Sequence, residues 1–304
     1  MDYKKEIIRE LSNITSSGLR PHDIFSDWLS LVNATMKTLP GHLKAARTGS
    51  TYLENQETLK VFEDVKNRLR QPEHYFHHYQ NAFGYLIEST SEYRDVLGDV
   101  FMEFLNPNPR TGQYFTPWNI AVAMGEMTMD AIEQKLYERI KVAATGNPLA
   151  EAMILGSSLF TEPKEIEDHF INRLLPIVAQ DVKPIKVSDP ACGSGIMLLG
   201  CAAHVPAWAL KYNLVRFYGQ DVDRRCVLMA ETNMMLYGLN GFVIRCALDV
   251  SDEELAAMQE NNRKAVEEAR QFESVGDTEA VEQIAVELRT GQYVQAKLFE
   301  SVNL

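Results

Sequence analysis

No two prolines are adjacent anywhere in this chain, and none follows Pro206. Cysteine is scarce: Cys192, Cys201, Cys226 and Cys246 stand in no CxxC spacing, so neither a disulfide framework nor a zinc or other metal site is expected. No stretch approaches the run of about 20 apolar residues that spans a bilayer. The start, MDYKKEIIRELSN, is charged and amphipathic and lacks the apolar core of a signal peptide. A cytoplasmic protein without membrane contact is expected. Positive charge is also short. The 42 acidic and 30 basic residues leave a net charge of −12, which disfavours unassisted binding to a phosphate backbone. The deficit is uneven, with twelve acidic and five basic residues from Ser251 to Leu304. That segment would repel DNA, while the larger part keeps room for a DNA-facing surface.

What is present is the composition of a folded protein, 45% hydrophobic and 24% charged over 304 residues. That is enough to bury a sizeable core, as two domains or as one α/β domain with an extra lobe. Up to about residue 105 the apolar residues recur at helical spacing: Ile7, Leu11 and Ile14; Ile24, Trp28, Leu31 and Val32; Leu59, Phe62, Val65 and Leu69; Val96, Val100, Phe101 and Phe104. Breaks are expected at Gly18 to Pro21, at Pro40-Gly41 and at Gln71-Pro72, and the run NPNPRTG (106–112) reads as a hinge. Residues 1–108 are therefore expected to form a helical domain. Two helical stretches follow, about 117–144 and 164–180, with a loop at TGNP (145–148) between them.

The period then changes. Lys186-Val187-Ser188 reads as a strand ending at DPACGSG (189–195), and GIMLLGCAAHVPAWALKY as the helix after it. The strand VRFYGQDV (215–222), the helix DRRCVLMAETNMMLYGLN and the strand FVIRCAL (242–248) complete a strand–helix alternation, the signature of a parallel, doubly wound sheet. Residues 109–250 are taken as this α/β domain. From 251 to 304 an acidic helical tail is expected, with apolar positions at Leu255, Met258, Val266 and Ala269, then Val281, Ile284, Ala285 and Leu288. Its last segment, YVQAKLF (293–299), reads either as a fourth strand or as a frayed end.

Chemistry should gather at the carboxyl end of the first strand. Gly193 and Gly195 allow close approach of backbone to a ligand where such sheets bind ligands. Asp221, 26 residues beyond Gly195 at the end of the second strand, is placed to accept hydrogen bonds from two ribose hydroxyls. A bare GxG also fits a plain tight turn with Asp221 capping the next helix. Outside this region, His77-His78 with Tyr75, Phe76 and Tyr79 reads as an aromatic packing face, and Arg224-Arg225 as a solvated helix start.

The string DPACGSG, preceded by GQYFTP (112–117) and followed by YGQDVD (218–223), resembles the adenine-specific DNA methyltransferases, in particular the modification subunits of type I restriction-modification systems. The resemblance runs from about Asp95 to Asp249 and includes EYRDVLGDVFMEFL (92–105), which looks like the helix preceding the cofactor motif. It implies a Rossmann-like fold that binds S-adenosylmethionine. By resemblance, Gly112, Gln113, Tyr114, Phe115, Thr116 and Pro117 close over the methionine end of that cofactor. Asp189, Pro190, Ala191, Cys192, Gly193, Ser194 and Gly195 wrap it, with Asp189 near its amino group. Asp221 matches the ribose ligand, Val222 the apolar neighbour of adenine, and Asp249 an adenine contact. The turn offers GSG and not the GxGxxG that holds a pyrophosphate, which favours S-adenosylmethionine over a dinucleotide.

One part of the family pattern is missing. To methylate the exocyclic amine of a flipped adenine, the family uses Asn or Asp, Pro, Pro, then Tyr or Phe, and this chain has no such string. NPNP (106–109) precedes the cofactor fold and lacks the aromatic residue. No catalytic residue is assigned. The sheet is expected to be abbreviated, with three or four strands. Either the protein is a cofactor-binding relative without chemistry, a pseudo-methyltransferase acting as a regulatory or assembly protein through protein contacts, or another chain supplies the missing part. In the second case DNA is reached through a partner, a specificity or catalytic subunit.

Overall fold

A computed structural model describes residues 1–53, 55–105 and 115–245. The hinge 106–112, Gly112 to Tyr114, Asp249, the tail 251–304 and its YVQAKLF segment lie outside the described residues.

The N-terminal region is helical, as the spacing predicts. Helix α1 (Tyr3–Ile14) starts at Asp2, whose carboxylate accepts the Lys5 amide at 3.3 Å, and buries Ile7, Leu11 and Ile14 completely. Helix α2 (Pro21–Thr48) begins with proline at its first turn, where a missing N–H costs nothing. It contributes Ile24, Phe25, Trp28, Leu29 and Val32 to the core. A break was expected at Pro40-Gly41, but α2 runs through it to Gly49. Proline removes one intrahelical bond, while Gly41 gives room for the Tyr52 ring, which lies where a Cβ would stand. Tertiary packing outweighs the local signal there. Helix α3 (Gln56–Arg68) buries Val65, but Leu59, expected on its apolar face, is 46% exposed. Helix α4 (Pro72–Glu88) packs along α1 through Phe76, Tyr79, Phe83 and Leu86. Helix α5 (Val96–Leu105) closes the core with Val96, Leu97, Val100 and Phe101.

Between lobe and sheet the sequence reading was coarser than the chain. The stretch expected as one helix from 117 to 144 is two, α6 (Trp118–Thr128) and α7 (Ile132–Ala144), parted at Ala131, whose φ is +53°. Helix α8 (Pro148–Gly156), capped by Asn147, occupies part of the expected gap. Helix α9 (Pro163–Asp168), a π-helical turn at His169–Leu174 and helix α10 (Leu175–Val178) follow. Ile132, Leu136 and Ile140 of α7 join Leu174, Leu175 and Val178 in a second core.

The sheet has strands β1 (Ile185–Asp189), β2 (Val215–Asp221) and β3 (Gly241–Arg245), in that spatial order and all parallel. Between β1 and β2 lie α11 (Ile196–Ala202) and α12 (Ala207–Lys211), and between β2 and β3 lies α13 (Arg224–Leu236). The apolar run expected as one helix after the glycine turn is thus two, with Pro206 starting the second. Leu198, Leu199, Ala230 and Met234 share a core with Val215 and Phe217, so α11 and α13 cover one face of the sheet. On the other face Tyr218 and Phe242 meet edge to face at 4.9 Å, with the Lys186 ammonium 5.9 Å from the Tyr218 ring centre. Helix α13 serves both cores: Cys226 and Met229 belong to that of the lobe, Ala230 and Met234 to that of the sheet. Asn33 of α2 adds a polar bond to this joint, donating to Thr232 at 3.1 Å. No described helix is long and apolar enough to cross a membrane.

Candidate cofactor site

Strand β1 ends at Asp189, and the chain turns at once into α11. The Asp189 carboxylate accepts the Ala191 amide at 3.0 Å, which starts the turn. Cys192 then donates its amide to the Gln220 carbonyl at 2.9 Å, tying the turn to β2. Gly193 and Gly195 have φ of +55° and +85°, the left-handed region where a side chain is strained. Each also meets a neighbour closely. A Cβ on Gly193 would stand 3.0 Å from the Phe115 ring, and one on Gly195 would stand 3.2 Å from the Ala230 Cβ.

The turn faces Asp221 across the ends of the strands. One Asp221 oxygen accepts the Gly193 amide and the other the Asp223 amide, both at 2.9 Å. The carboxylate is half-buried and fixed in orientation, yet each oxygen keeps a lone pair for a further donor. Val222, beside it, is 66% exposed, an apolar side chain standing in water at the rim. Phe115 joins from far away in sequence, with its ring 5.4 Å from that of Phe101 on α5. Thr116 is half-buried, and Pro117 is exposed and starts α6 by accepting the Ile120 and Ala121 amides. Pro190 and Ala191 are exposed beside Asp189.

Of the expected site residues, Phe115, Asp189, Gly193 and Asp221 therefore surround the turn. Tyr114 and Asp249 lie outside the described residues. Cys192 is buried and its thiol is pushed up to about 12, by burial first and then by Asp189 and Asp221, so it packs and does not act as a nucleophile.

Sequence reasoning missed the polar cluster beneath the turn. Asp95, 2% exposed, caps α5: one oxygen accepts the Gly98 amide and the Asn233 side-chain amide, each at 2.9 Å. Its other oxygen accepts the Ser194 hydroxyl in a short hydrogen bond. Asn233 also donates to the Ser194 carbonyl at 2.8 Å. Burial pushes the Asp95 carboxyl up to about 6, against the pull of its hydrogen bonds from Ser194, Gly98 and Asn233. The local signal was an Asp immediately before an apolar helix, the pattern of an N-cap. Nothing in the sequence connects it to Ser194 or Asn233. Arg225 was also under-read. It pairs with Asp223 at 2.6 Å, contacts His22 of α2 and lies 5.4 Å from the Phe101 ring, so it braces α13 against the lobe, while Arg224 is exposed. His78 pairs with buried Glu10 at 2.6 Å within the packing face of α4.

Residues 150–275 match the family model described as N-6 DNA Methylase, which covers the glycine turn and Asp221 but not the lobe or Phe115. Searches of curated proteins and of solved structures gave no match. The parallel sheet, the turn at the end of its first strand and this match agree: residues 150–275 match an N-6 DNA methylase domain.

Proposed function

We propose that this chain binds S-adenosylmethionine at the carboxyl ends of β1 and β2 and serves adenine-specific DNA methylation as a modification-subunit-like protein. The observation that carries the reading is the Asp221 carboxylate, fixed by the Gly193 amide at 2.9 Å while Phe115 rests on the same glycine. The site fits the group. Asp221 retains acceptor capacity for two ribose hydroxyls, exposed Val222 offers an apolar wall to adenine, and Asp189 offers a carboxylate to the ammonium. The cofactor would supply an electrophilic methyl group. Pro190, Ala191, Cys192, Ser194 and Gly195 shape the turn, Thr116 and Pro117 its rim, and Tyr114 and Asp249 belong to the same assignment.

In this reading 1–108 is the helical domain, 109–250 the cofactor domain and 251–304 an acidic tail, and the protein works in the cytoplasm. The 304 residues contain no adjacent prolines, and in this reading the family's base-orienting loop is supplied from outside these residues, by a partner subunit that also brings the DNA. A cofactor bound without that loop leaves the attacking amine unoriented. The isolated chain then transfers no tritium from labelled cofactor to unmodified DNA. Transfer well above a Gly193→Trp control would overturn that part of the proposal. The second reading, a pseudo-methyltransferase acting through protein contacts, is favoured by the same missing string. It is separated from the first by adding a partner that carries an Asn-Pro-Pro-aromatic motif: transfer restored supports a split enzyme.

Calorimetric titration of the full chain tests the site itself. Binding of S-adenosylmethionine or its demethylated product is expected, weakened ten-fold or more by Asp221→Ala. Asp221→Asn keeps an acceptor for the Gly193 amide and separates loss of the ribose contact from loss of the turn. No binding by the unmodified chain, or unchanged binding by both variants, sinks the assignment.

A further inference from the structure

We infer that Asp95 is the positioning residue of the glycine turn, and that through it the N-terminal helical lobe sets the affinity of the turn for an adenosyl ligand. This rests on the cofactor reading above.

Ser194 stands between two glycines in the left-handed region, neither with a side chain to restrict it. The middle of the turn is therefore held by what Ser194 bonds to. Its hydroxyl donates to Asp95 and its carbonyl accepts from Asn233, which in turn donates to Asp95. All three residues are at most 2% exposed. They come from three separate parts of the fold, the start of α5, the turn and the last turn of α13. The lobe is built to make this approach, because a Cβ on Gly98 would collide with both the Asp95 carboxylate and the Ser194 hydroxyl.

The cluster makes no contact with the ligand side of the turn. Gly193, on that side, is bonded to Asp221. Through this cluster a displacement of α5 reaches the ligand face by way of Ser194 and its neighbour Gly193. Phe115 adds a second link to the lobe, since its ring neighbours both Phe101 of α5 and Gly193. The polar cluster fixes the turn from below, and the aromatic contact covers it from above.

Two measurements on the full-length chain test this, using Asp95→Asn, Ser194→Ala and the double variant. The first is hydrogen exchange without ligand, read by mass spectrometry on peptides covering 190–196 and, separately, α1 and α4. Faster exchange in 190–196, with α1 and α4 unchanged, is expected for both single variants. Unchanged exchange in the turn, or an equal rise in α1 and α4, overturns the inference. The second is calorimetric titration with the demethylated cofactor below the melting transition of each variant. Each single change is expected to weaken binding about ten-fold, and the double variant no more than the worse single one, because both act through one bond. Wild-type affinity in both folded variants overturns the inference and leaves the cofactor reading intact. No binding by the unmodified chain overturns the cofactor reading and, with it, the claim about affinity. Ser194→Ala removes a single oxygen, so the test stands even if Asp95→Asn fails to fold.

Discussion

Glu10, inside the helical lobe, and Asp95, at the joint between lobe and glycine turn, are both buried carboxylates with several hydrogen bonds, and they are held in opposite ways. Burial pushes the Glu10 carboxyl up, but bonds from His78, Asn81 and Arg9, with the charge of His78, more than reverse this and leave it below the usual range. Asp95 receives only neutral donors, and burial leaves it at about 6. The lobe pairs its buried carboxylate with the Arg9 guanidinium and the His78 ring, whereas the joint surrounds its own with groups that orient without neutralising. A carboxylate held by neutral donors is a positioning device more than a source of stability, because much of what its bonds contribute is offset by desolvation.

The largest effect that can break this contrast is Asp95→Ala. It leaves the Gly98 amide and the Asn233 and Ser194 donors without their shared acceptor in a buried site, and a loss of about 3 kcal/mol in urea denaturation is expected. A loss under about 1 kcal/mol would mean that the joint relaxes freely and that the cluster fixes nothing.

The two regions also differ in how far the sequence discloses them. The lobe is legible because its information is local: Ile7, Leu11 and Ile14 recur at helical spacing and all three are fully buried. The sheet is legible for the same reason, through the change from helical period to short apolar strands. The misreadings are places where a distant contact overrides a local signal. Pro40-Gly41 does not end α2, and Leu59 stays exposed although it keeps the helical period. The site divides likewise. The glycine turn and Asp221 were recognisable as a string, but Asp95, Ser194 and Asn233 meet across separations of 99 and 138 residues, which no local pattern records.

A smaller effect is expected from Gly195→Ala, which strains the turn without touching either carboxylate. The φ of +85° and the nearby Ala230 cost about 1–2 kcal/mol, and adenosyl binding should fall with it. A stability equal to that of the unmodified chain would show that the turn adapts without strain, and the cluster beneath it would then have little to hold.

The pH dependence of Asp95 sharpens the contrast further. Its folded pKa of about 6 lies above the ordinary 3.8, so the folded chain binds the proton more tightly than the unfolded one. The contribution is fully present below the unfolded value and is lost as pH rises through about 6. Lowering pH from about 7 to about 5 is thus expected to stabilise the unmodified chain by about 1 kcal/mol relative to Asp95→Asn. Among the described residues the charged and titratable neighbours are few: Asp99 on the following helix raises the value, and Tyr237, just past the end of α13, lies nearby. Parallel stability curves for the two proteins would place the carboxyl back in the ordinary range.

Glu10→Gln should have the smallest effect and the opposite pH signature. Glutamine keeps an acceptor for Asn81 and His78 but removes the charge that pairs with Arg9 and His78, at a cost of under about 1 kcal/mol near neutral pH. Because the folded pKa of Glu10 lies below its ordinary 4.5, its contribution is present above that value and is lost as pH falls through the lowered one. The difference between Glu10→Gln and the unmodified chain should therefore shrink as pH falls below about 4.5, where that of Asp95→Asn does not shrink. Denaturation curves at matched pH values check this. If the Glu10→Gln difference instead grows in acid below about pH 4.5 in step with that of Asp95→Asn, the two carboxylates titrate alike, and the distinction between a charge-paired lobe and a neutral joint fails.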